Sequence, residues 1–386
     1  MELETKYGLV KIYAKTIEDE AISQIIQMTN SPLGENSHTR IMPDAHAGKG
    51  CVIGTTMIIT DKVCPNIVGV DIGCGVTLVK TDINFKENFE ELDKTIRSFI
   101  PYGPAVHKYT KKYDFTALRC WNKLDKEVKN VANYCLGSLG GGNHFIEAYE
   151  DGYLAVHSGS RLIGKSVAEY YQKIAEKSVL NKQIEIRNKM IQEIKPENQE
   201  KWLKMNQIHI NQSLSYLEGD DLKDYLHDIN IIQKFAYDNR HAMLLTITKQ
   251  LKGKILEEID SIHNYIDVKN MILRKGAISA QKDEILVIPL NMRDGMLICT
   301  GKGNPDWNYS APHGAGRLYS RSESKDLITL DDYKEAMKGI YSTSVKLSTI
   351  DESPFVYKNY EEIMECIEPT VTINKRLIPI FNFKAD

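Results

Sequence analysis

Five of the ten histidines stand beside glycines or turns next to expected strand ends: His46 in PDAHAGKG, His144 in GGGNHF, His157 in VHSGSR, His263 in IHNY and His313 in PHGAGR. Strand ends hold side chains rigidly, while glycine lets a ligand reach the backbone. Each ring could equally be a hydrogen-bonded imidazole of the interior, and His209, His227 and His241 fall in a helical stretch where a surface or core place is expected. The turn Asp71-Ile72-Gly73-Cys74-Gly75 adds a carboxylate and a thiol three positions apart. Alone it supplies two ligands where a metal needs three or more. Convergence of His144, His157 and His263 on it would make one carboxylate, one thiolate and three imidazoles, a set suited to two cations bridged by sulfur. Thiolate and imidazole favour zinc, and manganese stands lowest in the usual affinity order.

Two glycine-rich segments have the character of anion cradles. Leu136–Asn143 (LGSLGGGN) leads into His144, and Ser310–Arg317 (SAPHGAGR) surrounds His313, with Arg321 close behind. Runs of small residues expose backbone N–H groups to phosphate oxygens, and arginines add charge. Neither segment is a Walker loop or a dinucleotide fingerprint, so a plain turn remains the alternative for each. A histidine inside such a cradle is placed to attack phosphorus through a ring nitrogen.

These groups must be carried by a mixed set of elements. A helix is expected over Thr16–Met28, opened by a Thr16/Asp19 capping pattern. Short strands are expected at Cys51–Ile59, Asn66–Val70 and Gly75–Lys80. Helical patterns then alternate with a basic, aromatic loop, His107–Tyr113, whose simplest reading is a solvated loop. A helical excursion spans about 165–251, with apolar residues at 222, 225, 226, 229, 232, 235, 243 and 247. Strands resume at Met271–Lys275, Ile285–Pro289 and Gly295–Thr300, followed by a helix near Leu330–Lys338 and one last strand, Arg376–Phe383. The expectation is an α+β fold, one domain over 1–386 with a helical insertion and mainly antiparallel sheets.

Composition narrows the functional classes. At 42% hydrophobic and 26% charged residues the 386-residue chain is an ordinary globular one, which excludes disordered and fibrous classes. The 49 Lys+Arg against 52 Asp+Glu leave a formal charge of −3, so a uniformly basic nucleic-acid surface is excluded and any phosphate site must be local. Seven scattered cysteines give no disulfide framework, and no apolar run spans a bilayer, so a cytoplasmic protein without a membrane partner is expected.

Taken together, MPDAHAGKG (Met42–Gly50), VGVDIGCG (Val68–Gly75), GGGNHFIE (Gly140–Glu147), HSGSR (His157–Arg161), His263-Asn264, RKGA (Arg274–Ala277), HGAGR (His313–Arg317) with Ser320-Arg321-Ser322, and Lys384 resemble the RtcB family of RNA-splicing ligases. The motifs run in order from about Met42 to the C-terminus. The resemblance implies a GTP- and manganese-dependent ligase joining RNA 3′-phosphate or 2′,3′-cyclic phosphate ends to 5′-hydroxyl ends. It implies that His313 accepts GMP, that Asp44 assists proton transfer, and that Asp71, Cys74, His144, His157 and His263 hold two Mn²⁺ ions. Asn143, His144, Phe145, Ile146, Glu147, His263, Asn264, His313, Gly314, Ala315, Gly316 and Lys384 would hold the guanylate. Pro289, Asn291 and Met292 would border it, and Arg161, Arg274, Lys275, Arg317 and Arg321 would face RNA phosphates. Zinc is expected to compete for the metal site, and an archease-like protein is a candidate activator.

One stretch departs from the family pattern. Where a Pro-Gly-Ser-Met-Gly turn is usual, this chain reads Pro289-Leu290-Asn291-Met292-Arg293-Asp294-Gly295-Met296, which points to a divergent subgroup with a repair role. A two-metal cyclic phosphodiesterase or phosphohydrolase working without GTP is the alternative enzyme. A non-catalytic RNA-binding or partner-binding protein is the third reading.

Overall fold

The computed structural model describes residues 1–48, 50–109 and 113–385. It is an α+β fold of mainly antiparallel sheets. The central sheet has five strands in the order Pro379–Lys384, Phe145–Tyr149, Tyr153–Ser158, Gly75–Thr81, Ile255–Ile262, every neighbouring pair antiparallel. A three-stranded sheet, Ile285–Asn291, Gly295–Gly301 and Val371–Leu377, packs on it through Val287, Met296, Ile298 and Leu377 against Val76, Leu78 and Phe145. A six-stranded sheet carries His38–His46 beside Ile53–Ile58, and the short pair Ala277–Ser279 and Ser310–Pro312 lies between elements that bear the site.

The helical excursion consists chiefly of two 32-residue helices, Arg161–Gln192 and Gly219–Gln250. The second buries Leu222, Tyr225, Ile229, Ile232, Phe235, Ala236, Met243, Leu244 and Ile247, the three- and four-residue spacing of a helix stripe facing a core. It packs against the strands Gly75–Thr81 and Tyr153–Ser158, so the excursion supports the central sheet from behind.

Several local expectations are corrected. Asn66–Val68 belongs to a single helical turn, Pro65–Val68, because Pro65 sits at its first position and Gly69 ends it at φ +95°. The first helix begins at Asp19 after Glu18, whose side chain makes no cap, so the Thr16/Asp19 box does not form. The C-terminal strand is two strands in different sheets, Val371–Leu377 and Pro379–Lys384. The break at Ile378 lets the chain pass from the three-stranded to the five-stranded sheet. Of the basic loop, 110–112 lie outside the described residues, while His107 and Tyr113 are tied to Gly137 O at 3.1 Å and to Asp238 at 2.8 Å. Among the described residues no helix is long and apolar enough to cross a membrane.

Candidate active site

The central sheet gathers the expected ligands at one end. Gly75 pairs with both Ser158 and Ile262, and His157 pairs with both Val76 and Phe145. Cys74, His144 and His263 therefore each stand one residue beyond a paired position at the same sheet end, with His157 in the strand between. The backbone locks this arrangement, since His263 N–H donates to Cys74 O at 2.8 Å.

The side chains form a bent row. Asp71 Oδ2 is 3.1 Å from His144 Nε2, Cys74 Sγ is 3.5 Å from His144 Nε2 and 3.3 Å from His157 Nε2, and His157 Nε2 is 3.3 Å from His263 Nε2. Cys74, His144 and His157 are close enough together to share one ion. His144 Nδ1–H donates to Leu139 O at 2.8 Å and His157 Nδ1–H to Asn143 O at 3.1 Å. Both rings thus turn Nε2 inward, the outer-shell arrangement that orients metal-binding imidazoles. Burial, then neighbouring positive groups, push His157 and His263 well below the usual histidine range, keeping them as neutral donors. Burial would raise the Asp71 carboxyl, but His144 outweighs it and holds it at about 2. Burial, reinforced by Asp71, lifts the Cys74 thiol well above its ordinary range, so a cation is needed to keep it ionised. Sulfur at the middle of the row, with a carboxylate and an imidazole on one side and two imidazoles on the other, fits two cations.

The turns that carry these groups depend on residues absent from any motif above. Arg240, fully buried on Gly219–Gln250, donates to Gly73 O at 2.8 Å and Ser158 O at 2.9 Å and pairs with Asp260 at 2.9 Å. Asn239 Oδ1 accepts from Gly137 N at 2.8 Å and Ser138 N at 3.0 Å, bracing the glycine-rich turn before His144. Both lie at helix positions with no local sign of function, and only their place behind the sheet identifies them. In HSGSR, a Cβ on Gly159 would lie 2.1 Å from Asp71 Oδ1, so this position must stay glycine for the carboxylate to fit.

His313 follows the strand Ser310–Pro312, whose partner Ala277 donates its N–H to His263 O. This link brings the His263 and His313 rings to 4.8 Å between centroids. Asp44 Oδ2 accepts the His313 Nδ1–H at 2.6 Å and the His313 backbone N–H at 3.1 Å. The tautomer follows from that bond, and Nε2 is left as the unprotonated nitrogen.

A cleft of about 1080 Å³ opens over these groups. Its walls bring together Asn143, Phe145, Glu147, His157, His263, Pro289, Asn291, Met292, His313, Gly314, Ala315, Gly316, Arg317, Arg321 and Lys384. Lys384 pairs with Phe145 across adjacent strands, and its Nζ reaches Glu352 at 2.8 Å and Asn143 O at 3.4 Å. Glu352, also bonded to Arg317 and Arg321, was not anticipated. Glu147 is buried beneath the cleft on Tyr149 and Asn382, and burial raises its carboxyl to about 7.

Other expected contacts lie elsewhere. Ile146 points into the apolar core with Leu139, Leu154 and Phe383. Asn264 accepts Gly276 N at 3.1 Å and braces a turn. Arg274 is 0% exposed and is consumed by Ser310 Oγ, Tyr265 OH and the carbonyl of Tyr309, so it serves the interior and does not reach the cleft. Lys275 lies over Gly69, and Arg161 reaches Ser138 Oγ and Gly103 O beneath the glycine-rich turn. Asn291 spends its amide on its own turn, accepting from Arg293 N at 3.0 Å and Asp294 N at 2.8 Å and donating to Asp294 at 2.7 Å. Arg293 is neutralised by Asp294 at 3.0 Å. The departing loop is thus closed on itself, and it adds no free charge to the cleft.

The chain is also similar in sequence to known proteins. A family described as "tRNA-splicing ligase RtcB" matches residues 24–133 and 107–385. The chain is 30% identical to RNA-splicing ligase RtcB of Escherichia coli K12 over 406 residues, 94% of each protein. It is 26% identical to RNA-splicing ligase RtcB2 of Escherichia coli strain ATCC 25922 over 91% of this chain and 88% of the relative. It is also 26% identical to the tRNA-splicing ligase RtcB of Aeropyrum pernix over 86% and 84%.

Proposed function

The chain belongs to the RtcB family of RNA ligases, and from this premise we propose that it joins RNA 3′-phosphate or 2′,3′-cyclic phosphate ends to 5′-hydroxyl ends, using GTP and a guanylylated His313. The observation that carries this reading is the Asp44–His313 bond of 2.6 Å, which leaves His313 Nε2 as the free nitrogen in a cleft that also holds His263 and Lys384.

In the proposed first step His313 Nε2 attacks the α-phosphorus of GTP. An N–P bond forms, the P–O bond to the β-phosphate breaks, and pyrophosphate leaves. An oxygen of the RNA 3′-phosphate, which a 2′,3′-cyclic end supplies only after water has opened its P–O bond to the 2′-oxygen, then attacks the same phosphorus and the N–P bond breaks, which gives the RNA end an anhydride with a good leaving group. Finally the 5′-hydroxyl attacks the RNA phosphorus, loses its proton, and displaces GMP. Asp71, Cys74, His144, His157 and His263 would hold two Mn²⁺ ions, which when bound supply positive charge to the reacting phosphates. Asp44 holds the His313 tautomer, the Gly314–Gly316 backbone faces the nucleotide, and Lys384 with Arg317 and Arg321 places positive charge around it. The Asn291 loop forms a wall without offering its amide. Zinc remains the competing ion on donor chemistry.

Protein incubated with radiolabelled GTP and Mn²⁺ should acquire an acid-labile, alkali-stable label that His313→Ala abolishes. Unlabelled wild-type protein would overturn the reading.

A further inference from the structure

Lys358 lies outside every motif considered above, yet its ammonium is embedded at the back of the nucleophile. The residue is 4% exposed. Its Nζ donates to three backbone carbonyls, Thr16 O at 2.8 Å, Ala45 O at 3.1 Å and Pro43 O at 3.2 Å. An ammonium has three protons, and all three are used. Two of the acceptors flank Asp44, the residue that holds His313. Lys358 also donates its backbone N–H to Gly316 O at 3.0 Å. Gly316, at φ +75°, lies so close to the Asp44 carbonyl that a Cβ there would stand 2.4 Å from its oxygen. One lysine therefore ties the Asp44 strand to the His313-Gly-Ala-Gly loop.

Electrostatics makes the placement costly unless it serves something. Among the described residues no carboxylate lies within ion-pair distance of Lys358, and burial lowers the lysine below its usual range, with Asp44 the largest opposing influence. Asp44 in turn is 0% exposed, and its Oδ1 has no hydrogen-bond partner. A buried carboxylate with a bare oxygen requires positive charge nearby. Lys358 is the buried ammonium bonded to the carbonyls on either side of Asp44.

We propose that Lys358 is a positioning residue for the guanylylation step: it holds the Asp44 segment and the Gly316 loop in register, so that Asp44 presents His313 with Nε2 toward the nucleotide. This rests on the function proposed above. The role is confined to the two steps in which His313 gains and gives up GMP, because His313 has no part once the RNA end has been activated.

The test separates steps. Lys358→Met should slow single-turnover labelling of the protein by GTP about a hundredfold, the scale of a misplaced reacting group. Sealing of RNA whose 3′-phosphate already carries GMP should change less than threefold. Lys358→Arg should recover most of the labelling. In parallel, ¹⁵N shifts of the His313 ring should report one fixed tautomer in the wild-type protein and a mixture in Lys358→Met. Equal loss of both steps, or an unchanged ring signature with normal labelling, would overturn the proposal. If wild-type protein takes no label, the ligase reading fails, and the ring signature still decides whether Lys358 positions His313.

Discussion

His313 Nδ1 lies 2.6 Å from Asp44 Oδ2, and the same oxygen accepts the His313 backbone N–H. The bond fixes both the direction of the ring and which nitrogen is free. Asp44→Asn should leave the fold intact but let the ring adopt the wrong tautomer. Single-turnover guanylylation should fall by roughly two to four orders of magnitude, as for other imidazoles deprived of an orienting carboxylate. A rate within threefold of wild type would refute the assignment.

The row from Asp71 to His263 predicts metal-linked stability. Added Mn²⁺ or Zn²⁺ should raise the melting temperature of metal-free protein, by about 2.7 kcal/mol of stability at a hundredfold excess over Kd. Because the Cys74 thiol is held protonated without a cation, binding should release protons and strengthen with rising pH. Cys74→Ser should remove most of the shift, and calorimetry in two buffers of different ionisation enthalpy would count the protons.

Glu352 predicts an acid-labile cleft. Burial would raise its carboxyl, but Lys384, Arg321 and Arg317 hold it at about 2 in the folded protein, against an ordinary 4.5. A depressed carboxylate favours the folded state above its unfolded value, and that contribution decays as pH falls from about 4.5 to 2. At neutral pH it amounts to at most about 3 kcal/mol. Glu352→Gln should therefore lower stability at pH 7 and lose less of it on acidification over that window. Parallel acid-unfolding curves for the two proteins would argue against the charge cluster.

Two arginines from neighbouring motifs should behave oppositely. The Arg321 side chain is 51% exposed at the cleft, so Arg321→Ala should weaken RNA binding, reduce the salt slope by about one unit, and lower the melting temperature only modestly, since Lys384 and Arg317 still face Glu352. Arg274→Met should strand several buried acceptors and destabilise the fold by about 3 kcal/mol or more. Filter binding across a salt series, with thermal melts of both variants, distinguishes them.

Residue types and local spacing were enough to find the histidines, the Asp71/Cys74 turn and the two glycine-rich segments, because glycine, proline and apolar periodicity act within a few residues. They also located the helical excursion at about 165–251, whose second half carries apolar residues every three to four positions. Tertiary structure alone decided which polar groups face the cleft and which serve the interior. Arg274 and Arg321 read alike in sequence, yet one is sealed by Tyr265 and Ser310 and the other stands at the mouth. Asp44 and His313 are 269 positions apart, Lys358 and Pro43 are 315, and Lys384 and Glu352 are joined only because the last strand crosses to the central sheet. Burial and charge compensation are properties of the packed whole, so Arg240, Glu352 and Lys358 carried no local mark of their roles.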